Sequence, residues 1–320
     1  MKKISLLLLI ALSVSNCKAQ KEEKSITITT EEVKEIVTYL ASDELKGRNT
    51  GTEGIDEAAS YIQKQLQSYN IKPYFEDFKD EFKFVNRRGD SITGYNVVGY
   101  IEGTDKKLKD DFVVIGAHYD HIGFGKAVEN DSIANGANDN ATGTSAVMTI
   151  AKYFAAKKNN KRSLIFALFS AEEMGLRGSD ALAKKLKSQD IDLYTMVNFE
   201  MLGVPFKDRD YEVFLTGFDR SNFALKFNEY QTTNFIGFSE VSKQYSLFKR
   251  SDNYAFFQEF NVPSHTISSC DLTNFDHYHK VGDEAEEMNF EFMSSIINKM
   301  ISGLEKLVNT STKEIVLNEE

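Results

Sequence analysis

Apolar and polar positions along this chain fall into two rhythms, and the alternation between them predicts the elements. Residues 31–41 and 53–69 carry apolar side chains at helical spacing, and in the second stretch Ile55, Ala58, Ala59, Ile62, Leu66 and Tyr69 share one face. The intervening Ser42-Asp43-Glu44-Leu45-Lys46-Gly47-Arg48 reads as a polar loop. Further on, short β-rich apolar runs over 97–101, 112–117, 163–169, 195–199, 211–215 and 262–267 predict strands. Helical patterns over 144–156, 179–187, 253–259 and 289–307 lie among them, and 74–85 suggests an antiparallel edge. Strands separated by helices predict an α/β fold: a single domain with a central, mostly parallel mixed β-sheet covered by helices on both faces. No repeat and no Pro- or Gly-rich linker divides the region 31–320.

The first residues follow neither rhythm. Lys2 and Lys3 precede an apolar run from Leu6 to Leu12 that is too short to span a bilayer, as in an export signal over 1–16. Val14-Ser15-Asn16-Cys17 resembles the lipobox of bacterial lipoproteins, so Cys17 is expected to carry a lipid and 17–30 to act as a tether. The expectation is a protein of the cell envelope, on its periplasmic or surface face, whose only membrane contact is that lipid. Soluble secretion is the alternative. Cys270 is the other cysteine, so a lipidated Cys17 leaves no intramolecular disulfide.

Composition narrows the partners. The 320 residues carry a formal charge of −10 without a long basic cluster, which argues against nucleic acid, since phosphate binding needs a Lys/Arg footprint.

The chemistry gathers where predicted strands end. The run 112–117 leads into His118-Tyr119-Asp120, Asn138-Asp139-Asn140 precedes a helix, 163–169 delivers Glu172-Glu173, and 195–199 delivers Glu200. Carboxyl ends of parallel strands are where open α/β sheets place their sites. Adjacent acids after a buried strand are costly unless something compensates their charge, and a metal does so. Imidazole with carboxylate suits zinc. Asp120 is placed to orient a ligand from behind. Of the five histidines, His121, His265 and His277 are expected to be structural, with His277 competing with His279 as a ligand.

These segments, from about residue 40 to 293, resemble the M28 co-catalytic zinc aminopeptidases, relatives of bacterial leucyl aminopeptidases. The resemblance implies two zinc ions per chain, bound by His118, Asp139, Glu173, Glu200 and His279, with Asp139 bridging them. It implies Glu172 as general base and Tyr278 as a group that polarises the scissile carbonyl. Glu200 stands where the family more often has Asp, and Asp252 fits a family segment without a definite role. A bridging carboxylate can hold two metals roughly 3.5–4 Å apart. The substrate implied is a peptide or aminoacyl compound with a free N-terminus. The segment 207–245 is expected to shape the pocket. One rival is a single-zinc glutaminyl cyclase-like enzyme, disfavoured by the bridged ligand set and by the absence of Trp. Another is a dipeptidase or carboxypeptidase of the same superfamily, which would need a base such as Arg250 or Arg177 for a substrate carboxylate. A binding protein without turnover is disfavoured by the intact Glu172, and a Cys270 nucleophile by its lack of an activating neighbour.

Overall fold

The computed structural model describes residues 26–319. The export signal, Cys17 and the first part of the tether lie outside them. The strands are β1 (Lys72–Pro73), β2 (Lys79–Val85), β3 (Ser91–Ile101), β4 (Asp111–His118), β5 (Gly123–Val128), β6 (Asp131–Ala134), β7 (Ser163–Phe169), β8 (Asp192–Phe199), β9 (Val213–Leu215), β10 (Ile236–Gly237) and β11 (Ser264–Ser268). The helices are α1 (Thr30–Leu40), α2 (Glu53–Ser68), α3 (Gly143–Lys157), α4 (Arg177–Ser188), α5 (Phe223–Gln231), α6 (Glu240–Gln244), α7 (Asn253–Phe260) and α8 (Phe290–Asn309).

Four parallel strands, in the order β7-β4-β8-β11, form the middle of the sheet. Antiparallel strands flank them: β3 beside β7 and β9 beside β11, with β2 extending the β3 edge as a hairpin. The predicted mixed sheet is therefore present, and its antiparallel edge lies close to where the sequence suggested. The fully buried run Ser-Leu-Ile-Phe-Ala-Leu-Phe of β7 explains its central place, because only a strand covered on both faces has no polar side to present. Alternate residues feed two cores. One, against α1, α2, α3, α5 and α8, includes Val113, Ile115 and Phe166; the other, against α4 and α7, includes Val114, Ile165 and Phe256.

Local signals fix several helix ends. Thr29 caps α1 in a reciprocal box with Glu32, and Asn289 accepts the Phe292 N–H at the start of α8. No helix among the described residues is long and apolar enough to cross a membrane.

The segment 42–48, read as a polar loop, is a tight turn, Asp43–Arg48, in which Asp43, Glu44 and Lys46 are exposed but Leu45, Gly47 and Arg48 are buried, which polarity alone did not foresee. The hairpin β5–β6 and helix α5 were not anticipated either; short elements of this kind carry too few periods to read.

Candidate metal centre

The carboxyl ends of β4, β7 and β8 meet at one edge of the sheet, and each delivers a polar side chain there. His118 ends β4 and is fully buried; its Nδ1–H donates to the Asp120 carbonyl at 3.1 Å, which fixes the tautomer and frees Nε2. Asp120 thus orients His118 through its backbone. Its carboxylate has a different task, accepting the Glu172 N–H at 3.2 Å and the Thr50 hydroxyl at 3.4 Å.

Two groups of ligand atoms form around Asp139. His118 Nε2 lies 3.3 Å from Asp139 Oδ1 and 3.2 Å from Glu200 Oε1. His279 Nε2 lies 3.2 Å from Asp139 Oδ2 and 3.1 Å from Glu173 Oε1. The five residues named from the sequence as ligands therefore converge, and the extra methylene of Glu200 does not prevent its carboxylate from reaching the cluster. Neither His118 Nε2 nor His279 Nε2 has a hydrogen-bond partner despite these short distances. Each nitrogen and its facing oxygens are aimed past one another, as donors around a shared ion would be. Ligands about 2.0–2.1 Å from zinc in a tetrahedral arrangement sit roughly 3.3 Å apart, which matches the spacing seen.

Electrostatics supports the same fit. Burial opposes the charge on Asp139, but contacts with His118 and His279 hold its carboxyl well below the usual range. Burial likewise opposes a proton on His279, yet Asp139 and Glu173 raise it to about 10. The carboxylates are drawing positive charge into the space between them.

Local backbone geometry sets the donors in place. Gly136 has φ +59°, and a Cβ there would come within 2.4 Å of the Asp139 carbonyl and 2.5 Å of the His121 ring. Asp283 accepts the N–H groups of Asn138 and Asp139 at 2.7 and 3.0 Å, while Asn140 ties this segment to β8 through the Phe199 carbonyl at 2.9 Å.

Sequence reasoning missed two participants. His121, expected to be structural, is completely buried and donates from Nδ1 to Glu173 Oε1 at 3.1 Å. Its ligand atoms, with those of Asp139 and Glu173, lie within 4.8 Å of one another. Unlike His118 and His279, it has proper hydrogen-bond geometry to its carboxylate, so it holds Glu173 in position. His121→Ala is expected to weaken metal binding at the Glu173 group by on the order of 10–100-fold, read by competition with a chelator. An unchanged affinity would remove His121 from the site. A hint was present in the spacing, since His121 follows His118 by three residues.

Arg48 is the second. Fully buried, it donates Nε to the Tyr119 carbonyl at 2.9 Å, Nη1 to the carbonyls of Leu40 and of Asn135 (2.6 Å for the latter), and Nη2 to the Gly136 carbonyl at 2.9 Å. It thereby clamps the two loops that carry His118 and Asp139. Arg48→Met leaves those carbonyls without donors and is expected to destabilise the fold by about 3–5 kcal/mol in urea unfolding, given ~1–3 kcal/mol per orphaned group. A loss under ~1 kcal/mol would show the clamp to be dispensable.

His277 packs edge-on against Phe275 and belongs to none of these contacts, whereas His279 lies at the cluster. His265 is buried away from the centre, between Ser221 and the Thr216 carbonyl. Cys270 is a buried wall residue with its thiol pushed up to about 12 by burial, unsuited to a nucleophile.

Glu172, Tyr278, Met201, Phe214, Leu272 and Arg250 help line a cleft that also exposes Asp139, Glu173 and Glu200. Burial raises the Glu172 carboxyl well above the ordinary range; Glu200, Glu173 and Asp252 add to the rise, and His118 opposes it. Tyr278 stacks on His279 with ring centroids 3.9 Å apart, and its hydroxyl is raised by burial and then by the surrounding carboxylates. Phe214 and Thr216 bring the segment 207–245 into the cleft wall, as expected.

Histidines and carboxylates converging in two groups at the carboxyl edge of an α/β sheet have the donor types and the placement of a metal centre. The chain belongs to peptidase family M28, whose model matches residues 96–302. It is similar to a probable zinc metalloprotease of Pyrenophora tritici-repentis, 26% identical over 202 residues, covering 60% of this chain and 40% of that one. It is also similar to leucine aminopeptidase 2 of Arthroderma otae, 28% identical over 185 residues, covering 57% and 34%. The match thus spans less than half of either relative. Among solved structures, the glutaminyl cyclase of Porphyromonas gingivalis shares the fold with a TM-score of 0.70 at 13% identity, over 89% of this chain and 100% of that one.

Proposed function

We propose that this chain is an aminopeptidase working with two zinc ions, one held by His118, Asp139 and Glu200, the other by Asp139, Glu173 and His279. The observation that carries the reading is the divided carboxylate of Asp139, whose two oxygens face different histidines at 3.3 and 3.2 Å. The names of the two relatives, a zinc metalloprotease and a leucine aminopeptidase, support it.

Zinc bound in these groups would supply Lewis acidity and a water acidified to a pKa of about 7. The side chains supply the proton handling. Glu172, pairing with neither His121 nor His279, is free to accept the proton of the attacking water and return it to the leaving amine. Tyr278 keeps its proton and can donate it as a hydrogen bond to the carbonyl oxygen as charge develops there. The acidic end of the cleft attracts a free α-ammonium group, which confines cleavage to the N-terminus.

The test pairs elemental analysis with turnover of leucine p-nitroanilide and its N-acetyl form. Two zincs per chain with cleavage of the free amine alone is expected. One zinc, with ring closure of N-terminal glutamine, would replace the reading by a cyclase. Arg250 lines the cleft and favours a second reading, a dipeptidase that grips a terminal carboxylate. Hydrolysis of Leu-Ala but not Leu-Ala amide would establish it.

Export to the cell envelope, with a lipid on Cys17, is part of the proposal and rests on residues 1–17 alone. Cys17→Ala should release the protein from membranes; continued membrane partitioning would end the anchor reading.

A further inference from the structure

A second concavity opens beside the cleft and shares Glu173 with it. It is an open groove between the tip of the β2–β3 hairpin, the turn 43–52, the start of β5 and the first residue of α4. Four basic residues line it: Lys46, Arg87, Arg88 and Arg177. Glu173, already occupied with His121 and His279, is the sole acid on its wall. In a chain of net charge −10, that local sign is opposite to the whole.

The charges are also available. Lys46 pairs with Glu53 at 3.1 Å, and Arg177 spends Nε on the Met174 carbonyl. Beyond these, the side chains of Arg87, Arg88 and Arg177 have no hydrogen-bond or carboxylate partner among the described residues, and all three are exposed. Val85 and Phe124, two of the most exposed large apolar side chains of the molecule at 62% and 63%, stand on the same wall. Exposed apolar groups set among unpaired cations describe a surface built to be covered.

We propose that this groove receives the part of a peptide substrate beyond the scissile bond, and that it selects peptides carrying carboxylate side chains there. The inference rests on the aminopeptidase reading. With the first residue held in the cleft, the chain can continue into the groove, because Glu173 lines both. Guanidinium groups pair with carboxylates in a planar, two-bond geometry, and the apolar wall covers the intervening chain. Exposed ion pairs are individually weak, so a few of them give a preference on the order of 10-fold, not thousands. The preference should fade with salt, because the Debye length falls to roughly 3 Å at 1 M.

The experiment compares kcat/KM for two C-terminally amidated peptides, Leu-Ala-Glu-Phe-Glu and Leu-Ala-Gln-Phe-Gln, in the parent enzyme and the double variant R87Q/R88Q. Amidation removes the terminal carboxylate; the free-acid forms, run alongside, show whether that group contributes. The expected acidic-to-neutral ratio is on the order of 10 in the parent, approaching one in the variant and in 1 M salt. A parent ratio near one, or a ratio unmoved in the variant, overturns the inference. A preference confined to the free-acid forms also overturns it, because the terminus and not the side chains is then recognised. Fluorescence anisotropy of the labelled, N-acetylated acidic peptide gives a Kd without turnover. If no peptide is cleaved, the functional reading has failed, and the same loss of binding in R87Q/R88Q still decides whether the groove takes acidic peptides.

Discussion

Glu172→Gln is expected to retain both metals while kcat falls by on the order of 10²–10⁴-fold, the usual scale for removing a general base. The substitution keeps the shape of the side chain and the backbone contact to Asp120 Oδ1, 3.2 Å from the Glu172 N–H. Ala171, with φ +57°, turns the chain just before the two acids. Glu173 is drawn into the His121 and His279 contacts, while Glu172 faces the cleft. A carboxamide cannot accept the proton of the attacking water, so the loss should fall on kcat with KM little changed. Metal content by elemental analysis separates this from collapse of the site. Full activity in a metal-loaded variant would take Glu172 out of the mechanism.

Asp139→Ala should have the larger structural effect, because one carboxylate serves both groups. Removing it takes a donor from His118 and Glu200 on one side and from Glu173 and His279 on the other. If the proposed two-zinc centre holds, zinc content is expected to fall from two per chain towards none, with activity lower by at least ~10³-fold, since the metals would supply the chemistry. Glu200→Ala removes a donor from one group alone and should cost one metal first. This contrast tests the bridge directly. An Asp139→Ala protein with two tightly held zincs would refute it, and circular dichroism of Asp139→Asn, which keeps the side-chain volume, guards against reading misfolding as metal loss.

The two predictions differ in what they ask of the fold. Glu172 needs only its own strand end and a neighbour that holds the N–H. Asp139 needs three chain segments to arrive together, and the tie of Asn140 to Phe199, the bonds from Asp283 and the Arg48 clamp bring them there.

That difference marks how far sequence alone carries. The α/β alternation, the central strands β4, β7 and β8, and the segments delivering His118, Asp139, Glu173, Glu200 and His279 were all legible. For His118, Glu173 and Glu200 the signal lies in a short stretch, an apolar run long enough to show its period followed closely by polar groups that a buried position cannot hold uncompensated, whereas Asp139 and His279 were named through the family resemblance. Tertiary structure decided the rest. Arg48 sits in a stretch that reads as a polar loop, and only packing against carbonyls 71 and 88 residues away buries it. His121 and His277 are each near a ligand in sequence, but one points at Glu173 and the other at Phe275. The basic groove joins a hairpin tip, an early turn and the start of α4, three pieces whose charges look unrelated along the chain. Periodicity records which face of an element is buried; it holds no record of which distant element covers that face, and the positioning contacts and the groove are made there.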